Sequence, residues 1–154
     1  MVRVWIDTDI GDDVDDAAAL LCALRHPEID VLGISTVFRR VEARVWLARE
    51  LLDRGGSTKI PVLPGAMAPF DGRPDKQNDT PAQAQLAPPL ESLSPEHDDA
   101  RIEAIAQAMI AIPERFHFLT IGPLTNAARL ADRHPGIAER WASVTCMAGQ
   151  LEKG

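Results

Sequence analysis

The residues best suited to chemistry lie close together near the start of the chain. Residues 7–16 read DTDIGDDVDD, so six of these ten positions are aspartate. Carboxylates packed this densely repel one another unless a cation, bound protons or a polar ligand offsets their charge. Hard divalent cations prefer oxygen ligands of this kind. The pattern therefore predicts a hard-cation site, and a solvated acidic turn that caps a helix is the simpler alternative.

The elements around this segment, which we call the acidic loop, favour the cation site. The apolar run at residues 2–6 predicts a buried strand before the loop, and residues 15–25 predict a helix after it, ended by Pro27. A strand followed by a loop and a helix places the loop at the carboxyl edge of a parallel sheet. Ligands bind at that edge in α/β proteins.

Two common acid-rich patterns fit the acidic loop poorly. A calcium-binding EF-hand loop needs Gly at its sixth position and Glu at its twelfth. Counted from Asp7, these positions hold Asp12 and Ala18. Phosphatases of the haloacid-dehalogenase type begin with Asp-x-Asp-x-Thr/Val, but here Gly11 stands where Thr or Val is expected. A phosphatase of that type therefore remains only a minor alternative.

Length, charge and cysteine usage limit the classes of function. A chain of 154 residues is long enough for one domain with its own core. Its net charge of −7 argues against binding to nucleic-acid phosphates. Cys22 and Cys146 lie in apolar runs without metal-ligand spacing, so we expect reduced thiols in the core. Without a membrane-length apolar run or a signal-peptide pattern, we expect a cytoplasmic protein that binds no membrane.

Strand and helix patterns alternate along the chain. This alternation predicts a single α/β domain over 1–154, with a mostly parallel sheet and helices on both faces. In the second helix the pattern places Val41, Val45, Ala48 and Leu52 on the buried face and Arg44 off it. The predicted strands are residues 2–6, 31–37, 60–63, 116–121 and 144–148, and the predicted helices are residues 15–25, 41–52, 100–112 and a last one from the 122–126 turn to about 133.

Residues 66–98 interrupt this alternation. Six of the twelve prolines lie in this segment, among Gln, Asn and Asp residues with little periodicity. A loop this long inside a compact domain is usually either functional or disordered. We therefore expect it to be either a lid over a site or a disordered segment.

The acidic loop resembles the opening motif of the inosine/uridine-preferring nucleoside hydrolases, Asp-x-Asp-Pro-Gly-x-Asp-Asp-Ala. Residues 7–11 supply its first part, with Ile10 in place of Pro, and residues 15–17 supply the Asp-Asp-Ala that opens the helix. This match leaves Asp12 and Asp13 as two additional residues, to which we assign no role. A gapless match would instead use Asp13 and lose the second carboxylate, so we prefer the gapped one.

Later segments extend the resemblance over nearly the whole chain. Residues 122–127 (GPLTNA) match the family's Gly-Pro-Leu-Thr-Asn turn residue for residue, and residues 33–37, 61–66 and 147–149 are similar to three of its strands or strand ends. The resemblance implies the Rossmann-like core of a nucleoside hydrolase. It also implies that the chain corresponds to the amino-terminal half of such a protein, so the fold should be incomplete.

The resemblance implies hydrolysis of the N-glycosidic bond of ribonucleosides to ribose and free base, with Ca2+ as cofactor. Asp9 would be both a calcium ligand and the general base that activates a calcium-bound water. Asp16 would bind the ion through both carboxylate oxygens, and the Thr125 backbone carbonyl would supply another ligand. Asp15 would accept a hydrogen bond from the ribose 2'-hydroxyl.

Two further residues are expected to support these ligands without touching the ion. Asp7 would orient the acidic loop, and Asn126 would act from behind the 122–126 turn. The expected partner is a ribonucleoside, with neither nucleic acid nor membrane involved. The sequence leaves open the preferred base and whether the protein forms a homo-oligomer.

The departures from the family pattern bear on activity. Family members have Gly-Asn after the second strand, where this chain has Arg39-Arg40; these could be solvated charges or contacts to a more anionic ligand. Family members are also roughly twice as long, and their second half carries a further calcium-binding Asp and a His that helps the base depart. We therefore expect a fragment or a natural truncation with little or no activity of its own. The alternative is a ribose- or metal-binding relative without turnover.

Overall fold

One five-stranded parallel sheet organises the protein in a computed structural model that describes residues 1–71, 80–85 and 87–149. The strand order in this sheet is β3-β2-β1-β4-β5, so β1 is central and β3 and β5 form the edges. The predicted parallel sheet is therefore confirmed, and Pro64 lies on an edge strand, where the missing N–H is tolerated. The strands are β1 Val2–Thr8, β2 Ile29–Thr36, β3 Val62–Pro64, β4 Phe116–Thr120 and β5 Trp141–Cys146.

Within the described residues, four α-helices connect these strands, close to their predicted bounds. Gly56 ends the second helix in the left-handed conformation that favours glycine, with φ of 72°. The helices are α1 Asp15–Arg25, α2 Val41–Gly55, α3 Asp98–Ile110 and α4 Thr125–Arg133. Short 3-10 turns lie at Ala82–Ala84, Pro95–His97 and Pro135–Arg140. Within the described ranges no helix is long and apolar enough to cross a membrane.

The helices cover both faces of the sheet, as predicted. Consecutive residues of β1 point to opposite faces. Val4 and Ile6 pack in a cluster with side chains of α1 and α2, whereas Trp5 packs with side chains of α3 and α4. Arg44 of α2 lies outside the apolar stripe, as predicted, yet it is fully buried, which the amphipathic pattern does not indicate.

Strand β5 differs from the other strands because it is exposed. Only Trp141 at its start is buried, and the five residues that follow are exposed. Cys146 is among them, and Cys22 is exposed on α1, so the prediction that both cysteines lie in the core is wrong. The apolar runs that contain them reflect an edge strand and the outer side of a helix. Both cysteines are free thiols.

The sheet directs several loops to one edge. In the parallel register Asp7 of β1 lies beside Ser35 of β2 and Thr120 of β4. The acidic loop and the 122–126 turn therefore leave the sheet side by side, as predicted. Of the long segment 66–98, residues 72–79 and 86 lie outside the described residues, and its interpretation as a lid stays a prediction.

Candidate metal-binding site

Hydrogen bonds between its two ends close the acidic loop. Thr8, the last residue of β1, donates its hydroxyl to the carboxylate of Asp16 in the first turn of α1. The same hydroxyl oxygen accepts the backbone N–H of Ile10 at 3.0 Å. Gly11 follows with φ of 127°, a conformation that side chains other than glycine rarely adopt. A local sequence of Thr, Gly and a helix-opening Asp thus turns the chain tightly back over the end of the strand.

Asp9 and Asp16 come together in this turn. Asp16 is buried, and burial raises its pKa to about 6, with the negative charge of Asp9 adding to the rise. Burial likewise raises the pKa of Asp9, while the Arg44 guanidinium and a hydrogen bond from Asp16 oppose this rise. The two carboxyl groups contact each other and both have raised pKa values. A cation bound between them would stabilise their ionised forms.

Asp7 lies behind these two residues and is fully buried. Its Oδ1 accepts hydrogen bonds from the Ser35 hydroxyl and from Asn126 Nδ2, the latter at 2.7 Å. Burial raises the pKa of Asp7 to about 7, and these two hydrogen bonds oppose the rise. Within the described residues its Oδ2 has no hydrogen-bond partner. Asp7 Oδ2 is therefore a buried acceptor that a proton or a cation would stabilise.

Asn126 ties the 122–126 turn to the sheet. Besides the bond to Asp7, its Nδ2 donates to the carbonyl of Thr36 at 3.0 Å and its Oδ1 accepts the N–H of Ala66 at 2.8 Å. The side chain is fully buried and joins the ends of β1, β2 and β3. Its role as a supporting residue of a metal site stays a prediction.

The 122–126 turn also contacts the acidic loop directly. A Cβ atom built on Gly122 would lie 2.8 Å from the backbone nitrogen of Asp9 and 2.9 Å from its Oδ1. Thr125 begins α4 three residues later. The two motifs that carry the family resemblance therefore form one corner of the molecule.

A cavity of about 400 Å3 opens at this corner, within the size range of small-molecule sites. One side is acidic and the other is largely apolar. Asp13 and Asp15 lie exposed at its rim, and the hydrogen bond between them raises the pKa of Asp13 and lowers that of Asp15. The lining residues are Asp9, Asp12, Asp13, Asp15, Asp16, Ile121, Gly122, Pro123, Leu124, Met147 and Ala148.

The donor set fits a hard cation, although side chains alone do not complete it. Asp9 and Asp16 offer carboxylate oxygens, the ligand type that Ca2+ and Mg2+ prefer. Across residues 1–71, 80–85 and 87–149, no group of three or more His, Cys, Asp or Glu side chains is arranged to hold a metal ion. An ion here would therefore need backbone carbonyls, water, a substrate or residues outside the described ranges as further ligands.

Arg39 and Arg40 lie outside this cavity. Arg40 pairs with Glu42 and reaches the hydroxyl of Thr80 at 3.4 Å, whereas the Arg39 guanidinium lies 4.4 Å from the ring centre of Phe38. Phe38 and Arg39 both have positive φ values, 77° and 55°. The Gly-Asn of the family motif that the sequence resembles would place a Gly here, and Gly adopts such angles without strain. The Arg doublet thus changes the turn without placing charge in the cavity.

Three further residues support the site and were missed from the sequence. Ser35 bonds Asp7 and also accepts from the indole nitrogen of Trp5 at 3.1 Å. Arg44 and Gln83 hold the acidic loop from behind. A hydroxyl within a buried strand was the available signal for Ser35, but nothing in the local pattern marked Arg44 or Gln83.

The fold and site define an α/β protein with a carboxylate-lined cavity at the carboxyl edge of its sheet. The sequence model of the inosine-uridine preferring nucleoside hydrolases matches residues 4–154. The chain therefore belongs to the inosine-uridine preferring nucleoside hydrolase family, and the resemblance noted from the sequence is confirmed.

Curated relatives align with almost the whole chain. It is 31% identical over 157 residues to the uridine nucleosidase of Saccharomyces cerevisiae, with 97% of this chain and 46% of the relative aligned. It is 28% identical to the non-specific ribonucleoside hydrolase RihC of Escherichia coli (strain SMS-3-5 / SECEC), with 98% of this chain and 50% of the relative aligned. The chain thus spans about half the length of these curated relatives.

Solved structures show the same relationship. The plant nucleoside hydrolase PpNRh1 superposes with a TM-score of 0.76 at 26% identity, covering 97% of this chain and 48% of that protein. An inosine-uridine preferring nucleoside hydrolase from Bacillus anthracis superposes with a TM-score of 0.71 at 21% identity, covering 99% of this chain and 52% of that protein. The second likeness concerns the fold alone. The described sheet is thus the amino-terminal half of the nucleoside hydrolase fold.

Proposed function

We propose that this chain supplies the catalytic half of a ribonucleoside hydrolase, which cleaves the N-glycosidic bond to give ribose and free base. The observation that carries the proposal is the meeting of the Asp9 and Asp16 carboxyl groups at a cavity bordered by the 122–126 turn. Relatives described as uridine nucleosidase and ribonucleoside hydrolase support a ribonucleoside as substrate. Family membership leaves the phosphatase alternative without support.

Calcium is the proposed cofactor, held by the carboxylates of Asp9 and Asp16 and the backbone carbonyl of Thr125. A bound Ca2+ would supply positive charge that makes a nearby water easier to deprotonate, and it would accept ribose hydroxyls as ligands. The raised pKa values of Asp9 and Asp16 support a cation at this point, because burial and repulsion disfavour their ionised forms even though Arg44 and the Thr8 hydroxyl oppose the rise.

The side chains of the acidic loop then have different roles in the reaction. Asp9, in the cavity wall, takes the proton from the water that attacks the anomeric carbon. Asp15 lies at the rim with a lowered pKa, so it is ionised and can accept a hydrogen bond from the ribose 2'-hydroxyl. Asp7 and Asn126 hold the loop and the turn in register from behind. Together these residues position the water and one face of the ribose.

Help for the departing base must come from elsewhere. Every titratable side chain that lines the described cavity is an aspartate of the acidic loop. General-acid assistance is worth about 10²–10⁴ in rate. We therefore propose that the chain alone hydrolyses nucleosides weakly or not at all, and that a family-type second half restores activity.

Ribose release from inosine and from uridine tests this proposal, with and without calcium chelation. The assay compares the chain with a fusion that joins it to the carboxyl-terminal half of a homologous hydrolase. We expect turnover by the fusion, its loss on chelation, and at most weak turnover by the chain alone. Full turnover by the chain alone, or a folded fusion without activity, would contradict the proposal.

One observation favours the second candidate, a ribose- or metal-binding protein without turnover. The turn after β2 carries Arg39-Arg40, and neither side chain lines the described cavity. The Asn that the family motif has in this turn is then missing, and with it a polar side chain that could contact the ribose. Calcium and ribose binding by a folded fusion that shows no hydrolysis would identify this alternative.

A further inference from the structure

A buried arginine lies directly behind the acidic loop. Arg44 of α2 has no exposed surface, and its guanidinium donates to the carbonyl of Asp9, to the carbonyl of Ile10 at 3.0 Å and to Asp12 Oδ2 at 2.9 Å. Its Nε donates to the carbonyl of Phe38 at 2.8 Å. A buried cation is costly unless its donors are satisfied, and here four acceptors satisfy them.

A second group holds the loop from the long segment. The backbone N–H of Gln83 donates to the carbonyl of Gly11 at 2.9 Å, and its side-chain amide donates to the carbonyl of Asp13. Pro81 packs so closely that a Cβ on Gly11 would lie 2.7 Å from it. This part of the long segment is therefore fitted to the loop.

These contacts share one feature. The carbonyl oxygens of residues 9, 10, 11 and 13 all accept hydrogen bonds from α2 or from Gln83. Each of these carbonyls is therefore held by a donor outside the loop. Asp12 is exposed at the cavity, but its carboxylate already forms an ion pair with the Arg44 guanidinium.

We propose that Arg44 and Gln83 are positioning residues that fix the acidic loop, with its two additional residues, so that Asp9 and Asp16 face the cation while Asp12 serves as counter-ion to Arg44. The inference rests on the proposed function only in naming the cation. Its central claim is that Arg44 and Gln83, which we call the clamp, bind the carbonyl side of the loop and thereby set where the carboxylates point. It also assigns contacts to the two residues that the family motif lacks, because Asp12 pairs with Arg44 and the Asp13 carbonyl accepts a hydrogen bond from Gln83.

The test needs a variant that loses the clamp but keeps the charge. Arg44→Lys retains a cation but cannot span four acceptors with one ammonium group. Arg101→Lys is the matched control. Arg101 is also buried, on the opposite face of the sheet, and donates to the carbonyls of Gly65 and Ser94 at 2.9 Å each. Both variants lose stability, so a merely structural role for Arg44 predicts the same behaviour in both.

Hydrogen exchange of the metal-free chain measures how readily the acidic loop opens. In Arg44→Lys we expect amides of residues 10–14 to exchange about tenfold faster, with smaller acceleration in Gln83→Ala, because local opening becomes easier. Arg101→Lys should leave these amides unchanged. Unchanged exchange in Arg44→Lys, or equal acceleration in Arg101→Lys, would overturn the proposal.

Calcium titration by calorimetry connects the clamp to the site. We expect Arg44→Lys to weaken calcium binding about tenfold or more, as loss of supporting contacts typically does. Arg101→Lys should leave affinity unchanged, and Asp12→Asn should weaken it less than Arg44→Lys does, because a counter-ion is not a ligand although its charge lies at the cavity. A large loss in Asp12→Asn would overturn its assignment. A wild-type chain that binds no calcium would refute the metal site of the proposed function, while hydrogen exchange would still decide the role of the clamp.

Discussion

Gly122 and Asp9 touch at a point where no side chain can be added to the glycine. An added Cβ would lie 2.8 Å from the backbone nitrogen of Asp9 and 2.9 Å from its Oδ1, closer than real Cβ contacts. The residue that opens the 122–126 turn thus limits where the proposed general base can lie. Two motifs separated by more than a hundred residues in the chain are fitted to each other.

Gly122→Ala should therefore move Asp9. Overpacking of this kind typically costs about 1–3 kcal/mol of stability. We expect calcium affinity to fall about tenfold, because displaced supporting contacts weaken metal binding. Gly136→Ala is the control, since nothing lies within 4 Å of a Cβ at that exposed position. Calorimetric titration of the two variants measures the effect, and equal affinities would contradict the close fit.

Removal of a carboxylate charge should be more damaging than this displacement. Asp16→Asn and Asp9→Asn each remove a proposed ligand charge, and charge count tunes calcium affinity. We expect calcium binding to weaken about a hundredfold or more in each variant, judged against the loss expected from supporting residues. Asp132→Asn, exposed on α4, is the matched control and should bind like the wild type. Calcium binding retained by both site variants would place the ion elsewhere.

The pH dependence of stability should report the buried carboxyl group of Asp7. Burial raises its pKa from 3.8 to about 7, so the folded chain holds this proton more tightly than the unfolded chain does. The resulting stabilisation is complete below pH 3.8 and is lost as the pH rises towards 7. In urea titrations of the metal-free chain, Asp7→Asn should show a smaller fall in the free energy of unfolding over this range. Identical pH profiles would mean that Asp7 ionises normally.

The sequence predicted the architecture because local patterns and chain order suffice for it. Apolar runs alternating with amphipathic segments define parallel strands and covering helices, and parallel strands bring their following loops to one edge. For that reason the meeting of the acidic loop with the 122–126 turn could be predicted from the sequence alone. The helix α1 begins at Asp15, where the Asp-Asp-Ala motif placed it.

The features that the sequence did not predict depend on contacts between residues that are distant in the chain. Arg44 lies off the apolar stripe of α2, and only carbonyls at the ends of β1 and β2 explain its burial. The exposure of Cys146 depends on its position in an edge strand, which no local pattern encodes. Helical periodicity separates apolar from polar positions, but it does not reveal a polar group whose hydrogen bonds are satisfied inside.

The last prediction concerns Asn126, whose side chain joins three strands behind the site. Asn126→Ala would leave the N–H of Ala66 without this partner, while the carbonyl of Thr36 would keep the Gly65 N–H and Asp7 would keep one of its two donors. An unsatisfied buried group costs about 1–3 kcal/mol, so we expect the free energy of unfolding to fall by at least about that amount. The urea midpoint measures this loss. Gln107→Ala on the exposed side of α3 removes only a bond to Glu103 and should change the midpoint little. Because Asp7 keeps only the Ser35 hydroxyl as donor in Asn126→Ala, its pKa should rise further, and NMR titration of its carboxyl carbon would detect the change. A midpoint and an Asp7 pKa equal to those of Gln107→Ala would show that Asn126 is not what holds Asp7 in place.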